Sequence, residues 1–276
     1  VDVSRFHMDL AEQYGGELMV ITLGPLTNIA RTIREYPGFV HKVKGLVMMG
    51  GTLTMRGNVS PVAEANVACD PQACDQVFTS GMDITVVGLD VTMRTRLKME
   101  HLDWLSGCCK PACRPAVDYM RQAMVHYLRG NQTQNYCMGD CPLHDPLAVM
   151  CAVMPSLVRT ESRKARVECG GTYCRGMIVT DLREHPFQAE YVRFAVEVDS
   201  ERAVRELMSV FWEKWNKKYC DKLRLHPCKS HTWMQPHYVF ATEDGAYFFY
   251  INIIFIQSSQ LPYGIFITIC DTIPLS

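Results

Sequence analysis

Three short apolar runs separated by helix-patterned stretches constrain this chain more than any other feature. They are Glu17–Leu23, Gly45–Met49 and Asp83–Leu89. Each is strand-length, rich in β-branched or large apolar residues towards its end, and bounded by turn residues, as buried strands are. Between the first two lies Leu26–Glu35, whose pattern is helical and which Pro37 stops. Between the second and third, Asp70-Pro71 opens a helix running to about Ser80. Asp70 supplies the cap acceptor, and Pro71 sits where a missing N–H costs nothing. Strands alternating with helices at this spacing imply an α/β fold with a doubly wound, mainly parallel sheet.

The flanking segments extend the pattern. Ser4 is placed to cap a helix through Glu12, with Phe6, Leu10 and Ala11 as its apolar stripe. Positions 99–130 read as helical, and His144–Met154 as a helix beginning at a His-Asp pair. Arg159–Cys169, Met177–Thr180 and Tyr191–Val198 read as strands, and Glu201–Tyr219 as a closing helix. No internal repeat is present. After about Cys220 the character changes to clustered Pro, His and Trp, then to an aromatic, isoleucine-rich stretch without a period. The reading is one α/β domain over 1–222 and an atypical tail over 223–276, disordered or non-native.

Composition excludes several classes of function. Lys and Arg number 28 against 29 Asp and Glu, so no electrostatic footprint for nucleic acid or an anionic membrane exists. The most apolar piece, Phe248–Ile256, is too short to span a bilayer. The start, Val1-Asp2-Val3-Ser4-Arg5, has neither an initiating Met nor the apolar core of a secretory signal, and reads as a processed chain or a fragment. The 13 cysteines lack the paired spacing of a zinc ribbon. A disulfide framework belongs to much smaller secreted domains. Scattered buried thiols in a reducing cytosol fit better, so the expected location is cytoplasmic. Cys137 and Cys141 precede His144 closely enough for one of them to line a pocket wall.

The densest polar pattern follows the second strand: Met49-Gly50-Gly51, then Gly57-Asn58, Ala63-Glu64-Ala65-Asn66 and Asp70-Pro71. A glycine pair at a strand end lets the backbone turn sharply and approach a ligand. Asn58, Glu64 and Asn66 offer two amides and a carboxylate, a donor and acceptor set suited to the neighbouring hydroxyls of a sugar. A polar surface loop with helix caps would use the same residues. With Leu23-Gly24-Pro25-Leu26-Thr27-Asn28, Val87-Gly88-Leu89-Asp90-Val91-Thr92 and Pro142-Leu143-His144-Asp145-Pro146, the ordered pattern closely resembles the nucleoside hydrolase family. These enzymes split ribonucleosides into ribose and base. The similarity covers roughly positions 5 to 215.

The resemblance implies a role for each matching position. Asn58, Glu64 and Asn66 would bind the sugar, with Met49 as an apolar contact to the ribose. His144 would be the general acid for the departing base, since an imidazole titrates near neutrality. Asp145 and the main-chain carbonyl of Leu23 would be ligands of a Ca²⁺ ion whose water attacks the sugar. Asp145 could equally be a helix cap. Tyr136 is placed to stack on the base. The implied partner is a small-molecule nucleoside, and the family's dimers and tetramers imply a homo-oligomer. The family also opens with an acidic strand, Asp-Thr-Asp-x-Gly-x-Asp-Asp, which carries most calcium ligands and the water-activating aspartate. No such cluster occurs in these residues. The expectation is therefore an N-terminally incomplete nucleoside hydrolase, inactive as it stands and lacking the first strands, the alternative being a non-catalytic nucleoside- or sugar-binding remnant.

Overall fold

The computed structural model describes residues 2–131, 140–216, 254–256 and 265–268. The chain forms two compact units. The first contains Val1–Thr92, His144–Val198 and Pro236–Ser276; the second contains Met93–Leu143 and Asp199–Gln235. Residues 1–222, read above as one domain, are thus distributed over both.

The first unit opens with helix α1 (Val3–Tyr14), followed by strand β1 (Met19–Thr22), α2 (Thr27–Glu35) and β2 (Gly45–Met49). Next come α3 (Ala65–Cys69), α4 (Pro71–Phe78), β3 (Ile84–Val87) and the single turn α5 (Leu89–Thr92). The expected alternation of strand and helix is present. Asp70 caps α4 as its sequence suggested, accepting from the Ala73 amide at 3.0 Å. The cap of α1 differs: Asp2, not Ser4, accepts the amide, and the Ser4 side chain is buried. Asp2 lies in extended backbone with its carboxylate above the first turn, the geometry that a cap needs.

The later elements of this unit are α8 (His144–Val153), β6 (Val158–Val167), β7 (Ile178–Thr180) and β8 (Tyr191–Val198). Two tail strands join them, β9 (Ile254–Ile256) and β10 (Ile265–Thr268). The eight-stranded sheet has the order β7-β6-β8-β3-β2-β1-β10-β9. From β8 through β3, β2 and β1 to β10 every pairing is parallel, while β6, β7 and β9 are antiparallel additions. Burial on both faces explains the near-continuous apolar runs of the central strands. Leu46, Met48, Ile84, Val86 and Phe194 pack there with Phe39 and Phe78.

The two tail strands depart from the expectation of a disordered or non-native tail. β10 lies beside β1 with Met19 opposite Ile265 and Thr22 opposite Thr268. A strand with one bare edge exposes a row of N–H and C=O groups that any extended segment can satisfy. The Ile265-Phe266-Ile267-Thr268 run has the composition that suits such a place.

In the second unit, β4 (Arg96–Leu97) pairs antiparallel with β5 (Cys141–Pro142). Helices α6 (Met99–Cys108), α7 (Arg114–Asn131) and α9 (Ser200–Asn216) complete it. The helical reading of 99–130 holds, broken at Pro111 by a short 3₁₀ turn. Leu102, Leu105, Val117, Met124, Val204 and Met208 form its core. Cys141 is a half-buried free thiol on β5, and Cys74, Cys109 and Cys151 are buried free thiols. Cys113 departs from the thiol reading, since it is disulfide-bonded. Cys137 lies outside the described residues. No described helix is long and apolar enough to cross a membrane.

Candidate active site

The first unit gathers its polar groups at the carboxyl ends of the parallel strands, where α/β sheets hold their ligands. Asn66, in the first turn of α3, donates its Nδ2 hydrogens to the Met49 carbonyl at 3.0 Å and the Leu23 carbonyl at 3.4 Å. One side-chain amide thus ties together the ends of β1 and β2. Nδ2 also lies 3.4 Å from the Met49 sulfur, and the Met49 side chain is buried. Asn58 reaches the same turn, its Oδ1 accepting from the Ala65 amide at 2.9 Å.

Glu64 is the hinge of this arrangement. It is buried and caps α3: Oε2 accepts from the amides of Gly51 at 2.8 Å, Asn66 at 3.0 Å and Val67 at 3.3 Å. Oε1 accepts from Asn66 at 3.0 Å. Burial raises the Glu64 carboxyl above the ordinary range; those amides pull it back down, and the negative charge of Asp145 pushes it up again. The structure therefore gives Glu64 a cap's role, and leaves Oε1 as the less used oxygen.

Gly51 makes this close approach possible. Its φ of +72° lies in the left-handed region, and a Cβ there would overlap the Ile178 side chain. Its amide serves Glu64 and its carbonyl accepts from the Leu89 amide at 2.9 Å, so the turn after β2 is fixed from both sides. Gly51→Ala should destabilise the first unit by about 2 kcal/mol, from left-handed strain plus crowding. A urea denaturation midpoint measures it. A wild-type midpoint would mean that the turn relaxes without cost.

His144 and Asp145 open α8, which packs on β1, β2 and β3. The His144 Nδ1 lies 2.8 Å from the hydroxyl of Thr92, a fully buried residue. That contact orients the ring. Asp145 is exposed and sits inside the first turn, not at the cap. A carboxylate there still suits the positive end of the helix. Tyr136 lies outside the described residues. Leu23, Met49, Glu64 and Asn66 are thus joined by direct hydrogen bonds, Asn58 ties in through the Ala65 amide, and Asp145 is close enough to act on Glu64 electrostatically.

Two motif residues to which the sequence assigns no role, Asp90 and Thr92, organise this region. Asp90 is buried at the end of β3 and its carboxylate gathers the arm after Gly51. It accepts from the amides of Leu53 at 2.7 Å, Thr54 at 2.8 Å and Met55 at 3.2 Å, and from the Thr54 hydroxyl at 2.6 Å. Burial works to raise its pKa, but the Thr54 hydroxyl and three amides outweigh it, so Asp90 ends below the ordinary carboxylate range. Thr92 is the second, as the partner of His144. The signal was available for Asp90: a carboxylate closing an apolar strand run must find donors.

Two buried donors remain unmatched beside β1. Among the described residues neither the Thr22 hydroxyl nor the Asn28 Nδ2 has a hydrogen-bond partner. Each buried orphan costs about 1–3 kcal/mol. As for a metal, no group of three or more His, Cys, Asp or Glu among the described residues stands close enough to hold one. The Asp145 carboxylate and the Leu23 carbonyl fall short of the six to eight oxygens that Ca²⁺ takes. The described residues do not by themselves make a complete calcium site.

The chain matches the model of the family described as inosine-uridine preferring nucleoside hydrolase over residues 2–205. It is 36% identical over 178 residues to uridine nucleosidase 1 of Arabidopsis thaliana, covering 64% of this chain and 51% of the relative. It is 33% identical over 184 residues to the non-specific ribonucleoside hydrolase RihC of Klebsiella pneumoniae subsp. pneumoniae, covering 67% of this chain and 57% of the relative. The chain spans about half the length of the curated relatives it matches first. Among solved structures, the purine-preferring ribonucleoside hydrolase from Gardnerella vaginalis is similar with a TM-score of 0.68 and 33% identity. That likeness covers 76% of this chain and 65% of the other. A plant nucleoside hydrolase, the PpNRh1 enzyme, has a TM-score of 0.68 and 30% identity, covering 76% and 66% of the two chains.

Proposed function

The chain belongs to the inosine-uridine preferring nucleoside hydrolase family, and from that membership we propose that its strand-end site serves hydrolysis of the N-glycosidic bond of a ribonucleoside. The observation that carries this is the Asn66 amide joining the ends of β1 and β2, with Glu64 and Asn58 anchoring the same turn. Such a cluster presents fixed donors and acceptors to a ribose. Asn58, Asn66 and the Oε1 of Glu64 are assigned to the sugar hydroxyls, and Met49 to its apolar face. Tyr136 is assigned to the base.

Cleavage builds positive charge on the sugar ring and negative charge on the departing base. His144, oriented by Thr92, is assigned the proton that neutralises the base. Among the described residues, the Asp145 carboxylate and the Leu23 carbonyl are the two groups assigned to the family's calcium, which when bound would supply an activated water. The orphaned donors at Thr22 and Asn28 support the same reading from another side, because buried hydroxyl and amide groups beside β1 call for acceptors of the kind an acidic strand carries. The reading holds for a cytoplasmic homo-oligomer acting on nucleosides, inactive without such a segment.

Calorimetric titration of the 276-residue chain with Ca²⁺ should show no tight binding, and uridine or inosine should release no ribose. The same chain extended upstream of Val1 by a relative's acidic segment should release ribose in a chelator-sensitive way. Failure of the extended chain on every common nucleoside would sink the hydrolase reading. Micromolar Ca²⁺ binding and turnover by the unextended chain would show a site built on other ligands.

A further inference from the structure

We propose that the second unit carries a binding site for a small molecule that combines a flat aromatic ring with an anionic group. The site is a cavity of about 630 Å³ formed by β4, α6 and α9, all within that unit. Its size falls within the range of small-ligand pockets.

Its lining divides by chemistry. Val204 and Met208 form a buried apolar floor. Trp104 on α6 and Trp212 on α9 line the same cavity yet remain 53% and 43% exposed. Leaving that much indole in water forgoes burial energy, which a flat ring stacked on either face would recover. Among the described residues the charged lining is four cations, Arg94, Arg96, Lys98 and Arg205, against the carboxylate of Glu201. In a chain whose formal net charge is −1, such a surplus is local.

The four cations are not equivalent. Arg96 is spent on structure, donating to the carbonyls of Met93 at 3.3 Å and Asp140 at 3.0 Å. Lys98 lies 3.4 Å from a Glu100 carboxylate oxygen. Arg94 and Arg205 are exposed and have no ion-pair partner among the described residues. A guanidinium is a planar fork of donors that suits a carboxylate, sulfonate or phosphate. Arg94 and Arg205 are therefore assigned to the anion, and Trp104 and Trp212 to the ring. A nucleic-acid strand fits less well, since the cavity holds one small molecule and the chain as a whole is not basic.

The test titrates the full chain calorimetrically with 1-naphthalenesulfonate, with 1-naphthalenemethanol as the ring without charge and methanesulfonate as the charge without ring. The sulfonate should bind at least about tenfold more tightly than either half, and rising salt should weaken it. Arg94→Ala with Arg205→Ala, and separately Trp104→Leu, should each weaken it about tenfold or more with an unchanged circular dichroism spectrum. Arg205→Lys, which keeps the charge and the fold, should lose less than Arg205→Ala. Adenosine 5′-monophosphate and benzoate, run in parallel, separate a nucleotide from a simple aromatic acid as the source. Binding of either supports the site. Equal affinity for the neutral ring, or full affinity in the double arginine variant, would overturn it.

Discussion

Replacing His144 with alanine, in the chain extended by an acidic segment, is expected to lower kcat by about 10²- to 10⁴-fold, the usual contribution of a general acid. KM should change far less, because His144 is assigned to the leaving base and not to the ribose. A purine or pyrimidine leaves with negative charge on nitrogen and needs a proton as the bond breaks. A nitrophenyl riboside does not, since nitrophenolate is a stable anion. Its hydrolysis should therefore survive His144→Ala nearly intact. Thr92→Val keeps the ring but removes the hydroxyl 2.8 Å from Nδ1, so it should give a smaller loss of the same kind. Parallel kinetics on uridine and nitrophenyl riboside decide the matter. Equal losses on both substrates would remove His144 from the role of acid.

Asp90→Ala should cost on the order of 3 kcal/mol of stability, with the unfolding slope in urea unchanged. The substitution leaves three amides and one hydroxyl of the arm after β2 without their acceptor. The pH dependence gives a second signature. The folded-state pKa of Asp90 is depressed, so its contribution is present above the unfolded value of about 3.9. It is lost as pH falls from there through the folded pKa. The gap in stability between wild type and Asp90→Ala should be widest near neutrality and narrow as pH falls below about 4. A gap that does not narrow at all on acidification would mean that packing, not the carboxylate charge, accounts for it.

The sheet was legible because its signal is local. Gly45–Met49 reads as a buried strand from five consecutive residues, and β2 has those bounds. Asp70-Pro71 announces the start of α4 in the same way. Ser4 failed as a cap because Asp2, two positions earlier, meets the same need, and local chemistry does not rank two competent acceptors. Glu64 was legible as important but not as a cap: its residue type suits sugar hydroxyls and backbone amides alike.

The sequence by itself determined an α/β chain, the order of its central strands and helices, and the family whose motifs lie at the strand ends. Periodicity and turn chemistry act over a few residues, so those conclusions need no knowledge of distant partners. Only the tertiary structure decided that Asp90 holds an arm 35 to 37 positions away, that Thr92 orients a histidine 52 positions later, and that β10 lies beside β1. Likewise it alone drew Trp104 and Trp212 around one cavity. Each depends on a contact between segments far apart in the chain. Such a contact is selected by the shape and unsatisfied hydrogen bonds of the folded whole, which no stretch of sequence displays on its own.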